Sequence, residues 1–398
     1  MKRFVLSITL GLSLYAQTVD EIVDTALVSN NSISSIKLLL EQKDLVIKRS
    51  ENFDDPYLKV GLNDLRVDDI TNRSIEPMQT NYLLVKQKIP YFGKRDIKKQ
   101  IAKKQKAITF FSLQEAKSSL VENIKLEVIN YTKLKELLHL NKRFQHKIKE
   151  LKNLLTSYAQ FNTNSHIAMI QSDLLLSSLK VKETMIKNLL ANSLHTISYY
   201  ANTKIKKVDF KLKDISLPDF ETLETRLIKN HKRKILSHQY KLANDEVTQA
   251  KLSTKIDPVV EVGYFQRNSY EDYVSVGVGF SLPIYGTQKT KIEEQKVQRA
   301  SMLAKLNDYD EALKNKLFEL FENYKATKKI IKIIKKDTTF RIKNLFKLDE
   351  AKIASGDDMT SYFDTLKKFF ALKEVLIDKK AQNLAIKARI DKLLGAIR

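Results

Sequence analysis

Apolar and polar residues alternate along this chain in two different rhythms. Over most of its length the apolar positions recur every three or four residues. After Gly93 they fall at Phe110, Leu113, Leu120, Ile124, Tyr131, Leu134 and Leu138; after Gly286 they fall at Leu317, Leu320, Tyr324, Ile331 and Ile334. This spacing predicts helices over 94–159 and 287–354, each with a seam for coiled-coil-like packing. At about 1.5 Å per residue each would be on the order of 100 Å long, too long for a compact globule.

The second rhythm is strict alternation. In "YVSVGVGFSLPIYG" (Tyr273 to Gly286), Val274, Val276, Val278, Phe280 and Leu282 face one way and Ser275, Gly277, Gly279 and Ser281 the other. Val260, Val262 and Tyr264 form the apolar side of a partner strand, opposite Glu261 and Gly263. Leu58, Val60 and Leu62 oppose Lys59, Gly61 and Asn63. Leu83, Val85 and Ile89 match Val276, Val278 and Leu282, with Gln87 breaking the apolar side. The alternation fits two environments. A β-sandwich would bury the apolar sides against another sheet, and a membrane barrel would give them to lipid. Four strands cannot close a barrel, and lipid tolerates no open edge, so the barrel alternative requires several copies of the chain. Two copies would leave an interior filled by side chains, so a conduit needs at least three.

The two strand pairs belong to a duplication. "DPYLKVGL" (Asp55 to Leu62) and "DPVVEVGY" (Asp257 to Tyr264) lie 202 residues apart, "LLVKQKIPYFG" and "VGVGFSLPIYG" 193 apart, and "ALVSNN" and "RLIKNH" 200 apart. Four of the six prolines, Pro56, Pro90, Pro258 and Pro283, bracket the strands, where the missing N–H does least harm. We expect a first repeat over 17–202, with strands within about 56–90 and long helices over about 94–200. The second repeat is expected over 203–398, with strands within about 258–283 and helices over about 287–395. "VDFKLKDISLP" (Val208 to Pro218) reads as a short strand crossing the helices. The fold class is mainly α with a small β part.

Composition agrees with long helices: Gly (9) and Pro (6) are scarce among 398 residues, and 29% are charged. The N-terminal "MKRFVLSITLGLSLYAQ" has a basic start, an apolar run too short for a comfortable membrane span, and Ala16 as a small residue for cleavage. We expect residues 1–16 to be a signal peptide. Loss of Lys2 and Arg3 takes the net charge from +23 to +21. The charge is spread as lysine along helices rather than gathered into an aromatic-interleaved basic patch, which argues against a nucleic-acid partner. With no cysteine there is no disulfide, thiolate metal site or Cys nucleophile.

No enzyme chemistry is encoded. The six histidines have no zincin or triad spacing, and the Gly277–Gly279 "GVG" lies mid-strand without a phosphate-loop context. No cofactor and no bound metal are expected.

The duplicated strands, "QKIPYFGKR" (Gln87 to Arg95), "SLPIYG" (Ser281 to Gly286), "ASGDDMTSYFDTL" (Ala354 to Leu366) and the closing "ARIDKLLGAI" resemble the TolC-like outer-membrane efflux protein family over essentially the whole mature chain. The resemblance implies a homotrimer. Its transmembrane β-barrel would take four strands per chain, continuous with a long α-helical barrel in the periplasm. It implies a passive, gated exit duct of a tripartite efflux pump or type I secretion system, partnered by a periplasmic adaptor and an inner-membrane pump or secretion transporter. Pore or gate candidates are Asp357, Asp358 and Asp364, where helix capping is the alternative for the first two. Adaptor-docking candidates at the helical turns are Asn162, Asn164, His166, Gly356 and Ser361. Lumen-facing strand candidates are Lys59, Asn63, Glu261, Ser275 and Ser281. Two departures stand out: the chain is strongly basic, so an acidic tunnel is not assumed, and it ends at Arg398, where some members carry an extended tail. The alternatives are an outer-membrane arm dedicated to metal-cation efflux and, from another class, a soluble periplasmic coiled-coil scaffold.

Overall fold

In the computed structural model, which describes residues 16–158, 163–354 and 360–397, the chain forms two compact units. Residues 36–112 and 232–310 make one, and the flanking and intervening segments make the other. The signal-peptide reading of 1–16 lies almost wholly outside the described residues.

The helical unit starts with a two-residue strand β1 (Gln17–Thr18) and helix α1 (Val19–Ser29). Thr18 caps α1 reciprocally: its Oγ1 accepts from the Glu21 amide, and its own amide donates to Glu21 Oε2 at 2.9 Å. Ile22, Val23 and Ala26 then fall on the buried face. Asn30 divides α1 from α2 (Asn31–Ser50); its Oδ1 accepts from Ser32, and its Nδ2 donates to the Tyr200 carbonyl.

The first long helix, α3, runs Lys94–Tyr158, and α4 runs Thr163–Ala201. The expected seam is buried at Leu113, Leu120, Ile124 and Leu134. Tyr131 and Leu138 are half-buried, and Phe110 is exposed. Farther along, Leu140, Phe144, Ile148 and Leu151 pack with Leu176 and Leu179 of α4 and with Phe363, Leu366 and Phe370 of α9 (Thr360–Leu393). The Phe144 and Phe370 rings stack with centroids 4.0 Å apart. The buried polar atoms in this seam are paired, as burial requires. Asn141 donates to the Leu179 carbonyl at 3.2 Å, and Gln145 donates to Asn141 Oδ1 and Glu183.

The expected strand over 208–218 is shorter than its alternation implied. Only β4 (Val208–Asp209) forms a ladder, parallel to β1. Beyond it no neighbouring strand continues among the described residues, and a side chain serves part of the backbone instead. The Tyr324 hydroxyl accepts from the Leu217 amide while donating to the Ile215 carbonyl. Leu212 is buried.

In the second half, α5 (Phe220–Thr225), capped by Asp219, and a 3-10 turn (Arg226–Lys229) lead to α6 (His231–Leu252). The second long helix is interrupted, contrary to a single run over 287–354. It comprises α7 (Thr287–Ile333), a π-helical turn (Ile334–Thr338) and α8 (Thr339–Ala354). The Thr339 hydroxyl donates to the Ile334 carbonyl, five residues back, at 2.7 Å. The same carbonyl accepts the Thr339 backbone amide, the five-residue bond of the wider turn. The predicted seam of Leu317, Leu320, Tyr324, Ile331 and Ile334 is buried throughout.

The closing segment locks onto this unit. Gly395 adopts φ +73°, and a Cβ there would lie 2.5 Å from the Lys229 carbonyl oxygen. Ser118 donates to the Ala396 carbonyl, and Lys392 pairs with Glu122 at 3.1 Å.

The other unit contains one four-stranded antiparallel sheet, ordered β2 (Tyr57–Leu62), β3 (Thr80–Lys88), β5 (Pro258–Arg267), β6 (Tyr273–Phe280). The two hairpins, one from each half of the sequence, are joined edge to edge through β3 and β5. Arg233 forks onto Asp310 through Nε and an Nη at 2.7 and 2.9 Å, tying α6 to α7.

Candidate membrane-spanning sheet and its charged face

The register of the sheet fixes which side chains share a face. Leu58, Val85, Val262 and Val276 stand in one row across all four strands, and Val60, Leu83, Tyr264 and Val274 in the next. Every residue in these rows is exposed, from 38% at Val85 to 71% at Val60. A soluble sheet buries such a surface, because alternation normally turns its apolar side to a core.

Charge is sorted with equal strictness. The four strands carry five charged side chains, Lys59, Lys86, Lys88, Glu261 and Arg267, and the register puts all five on the opposite face. Lys86 and Glu261 are direct cross-strand partners at 2.6 Å. Ser275, Gly277 and Gly279 share this face with them.

Glycine shapes the charged face. Tyr82 lies over Gly61, where a Cβ would come within 2.4 Å of the ring hydroxyl, and Phe265 lies over Gly263. The rings thus rest flat on the sheet, an arrangement that protects strand glycines. Tyr82, Phe265 and Tyr273 form a continuous aromatic row across β3, β5 and β6, with Phe265 and Tyr273 stacked at 4.8 Å. Gly277 and Gly279 stay uncovered, with no atom within 4 Å of where a Cβ would stand.

Each hairpin passes into its long helix through a glycine in the left-handed region, Gly93 (φ 73°) and Gly286 (φ 76°). Their carbonyls accept the first helical amides, from Ile97 and Thr290. Here Asp257 accepts from the Tyr91 amide and from Lys94 Nζ at 2.9 Å, fastening the start of β5 to the start of α3.

Solved structures share this architecture. A structure of CusC, described through the changes that accompany folding and transmembrane channel formation, matches with a TM-score of 0.81 at 12% identity, covering 96% of this chain and 96% of that one. The open state of the Neisseria gonorrhoeae MtrE outer membrane channel matches at 0.78 with 15% identity, covering 95% of this chain and 89% of that one. The outer membrane protein VceC from Vibrio cholerae matches at 0.79 with 11% identity, covering 95% and 96%. The fold is that of outer-membrane channels. No family model matches the sequence, and no curated protein matches it.

Within this channel fold the sequence-derived candidates fall into three groups. Lys59, Glu261 and Ser275 share the charged face. Asn63 and Ser281 lie one residue beyond their strands: Asn63 donates to Thr80 Oγ1 at 3.2 Å, and Ser281 lines a polar cavity of about 560 Å³ with Lys88 and Asp257. At the helical end, Asp364 is exposed and lies 3.6 Å from Lys367, and Ser361 donates to the buried Asp349 at 2.7 Å. Asp357, Asp358, Asn162 and Gly356 lie outside the described residues, as do the side chains of Asn164 and His166.

Sequence reasoning missed three features. The aromatic row was hidden because Tyr82, Phe265 and Tyr273 sit among small residues on the face read as polar. Arg267 and Lys88 mark the two ends of that face and extend the alternation already seen at Glu261. Asp349 gave no signal, since its burial (2% exposed) comes from packing around the end of α8. Among the described residues no cluster of His, Asp and Glu could hold a metal ion, and no helix is long and apolar enough to cross a membrane.

Proposed function

We propose that this chain is one protomer of a homotrimeric outer-membrane channel. It would serve as the exit duct of a tripartite efflux pump or a type I secretion system. The observation that carries the reading is the sheet: one face uncharged, with exposed apolar rows across all four strands, the other holding every charge. Lipid on the first face and water on the second satisfy both without strain. β2 and β6 leave open edges, which a bilayer does not tolerate; three copies of four strands would close a barrel of twelve, wide enough for a water channel.

On this reading residues 1–16 direct export, 17–202 and 203–398 are the two copies of a duplicated unit, and the long helices occupy the periplasm. The duct is passive. Asp364, with Asp357 and Asp358, would constrict its periplasmic tip, and the turns bearing Asn162, Asn164, His166, Gly356 and Ser361 would meet a periplasmic adaptor that links it to an inner-membrane transporter. The shared fold with channel proteins supports a conduit rather than an enzyme.

Fractionation tests the reading. The protein should stay with outer membranes, require detergent for extraction and run as a trimer in light scattering. A monomer that dissolves without surfactant would instead establish the soluble scaffold.

A further inference from the structure

We infer that the charged face of the sheet makes the barrel selective for anions. This rests on the trimeric channel proposed above. Four cations, Lys59, Lys86, Lys88 and Arg267, stand against one carboxylate, Glu261, leaving a surplus of three per chain and nine in a trimer. Rings of Lys and Arg in a pore attract anions and repel cations. The apolar face has no charge to offset them.

The pairing pattern sharpens the point. Lys86 is spent on Glu261 at 2.6 Å. Lys88 reaches Asp257 only at 3.5 Å, and that carboxylate already binds Lys94 more closely. Lys59 and Arg267 are held on aromatic faces rather than on carboxylates: Lys59 lies 5.3 Å from the Tyr82 ring centre and Arg267 5.1 Å from that of Tyr273. The Arg267 guanidinium also donates to the Glu271 carbonyl at 2.6 Å. Such contacts position a cation without cancelling its charge. Asp272, which accepts from the Arg267 amide, shares its other oxygen with the Tyr264 hydroxyl.

The rest of the face lets these charges act. Gly277 and Gly279 are bare, Ser275 is small, and the Tyr82 and Phe265 rings lie flat. Lys59, Lys86, Lys88 and Arg267 share the face with these small and flat-lying positions. The substrate class this favours is anionic solutes. It disfavours a duct dedicated to metal cations.

The test is the reversal potential of the full-length detergent-extracted trimer in a planar bilayer under an asymmetric KCl gradient. Each variant's permeability ratio is compared with the wild type's, because the carboxylates proposed at the periplasmic tip act on the same current. Lys59→Gln with Arg267→Gln should move the permeability ratio toward potassium, and Glu261→Gln should move it toward chloride. Trimer retention on gel filtration, checked for each variant, separates altered selectivity from failed assembly, and the two opposite shifts cannot both arise from misfolding. A conducting trimer whose ratio ignores these three residues, or shifts in the opposite directions, overturns the inference alone. A chain that forms no conducting trimer overturns it together with the channel reading.

Discussion

Ser275 and Val276 are neighbours in β6, yet the register sends them to opposite faces of the sheet, which makes them a sensitive pair for asking what surrounds it. Val276 is 70% exposed in the isolated chain and stands in the row of Leu58, Val85 and Val262. In water, Val276→Arg would replace an exposed side chain and change stability by no more than about 0.5 kcal/mol. In a bilayer the same arginine near the midplane costs about 2–4 kcal/mol per chain. At about 1.4 kcal/mol per tenfold, that is a loss of roughly thirty- to several-hundred-fold in the folding equilibrium. Ser275→Arg adds an arginine to a wet face already bearing Lys59 and Lys86, and should cost about 1 kcal/mol or less. Urea titration of refolding into lipid vesicles, followed by the gel shift of the folded trimer, reads both variants. Val276→Arg must fall well below the wild type while Ser275→Arg stays near it. Equal behaviour of the two, or greater damage from Ser275→Arg, would refute the assignment of faces.

Phe144→Ala removes one partner of the stacked pair in the helical core and should cost about 3–5 kcal/mol, seen as a lowered melting temperature by circular dichroism. Gly395→Ala should destabilise by about 1–3 kcal/mol, because φ +73° and the Lys229 carbonyl both oppose a Cβ; a melting temperature equal to the wild type would show that the closing segment is not locked. Burial first, then Lys241 and Lys104, holds His238 below the usual imidazole range against the Phe111 ring. A base whose folded pKa is depressed stabilises the fold in full above its unfolded value near 6.5, and that contribution is lost as pH falls from there through the folded value. Thermal stability should therefore drop between pH 7 and pH 5, and His238→Phe should flatten that part of the profile. Glu183 is held low by Lys187 and then by Gln145. Its contribution is present above the ordinary carboxylate pKa and lost only on strong acidification, so Glu183→Gln should blunt the decline below about pH 4 without changing the one near neutrality.

Much of the architecture was legible because it is written in period. The 3.5-residue seam marked α3 as one long helix, and alternation separated the two faces of β3, β5 and β6. What escaped depends on partners that lie far apart in sequence. Alternation at Val208, Phe210 and Leu212 reads as a strand, but a strand needs a neighbour, and β1 offers only two residues. Apolar spacing runs through Ile331 and Ile334 without a break, so nothing in it marks the extra residue of the π turn. Tyr82, Phe265 and Tyr273 come from three strands and become a row only once the register is known. The same holds for the sign of the charged face, which emerges only when Lys86, Lys88 and Arg267 are placed on it with Lys59 and Glu261.

The π turn at Ile334–Thr338 gives the second long helix something the first lacks along its 65 uninterrupted residues. One surplus residue is stored there as a local widening, so the stripes before and after it each keep their own bearing. Deleting a single residue from this turn would let the helix close into regular geometry, whereas the same deletion between Leu317 and Ile331 would rotate everything downstream by about 100°. The turn is thus the point where this helix can shorten by one residue without misaligning its buried stripe.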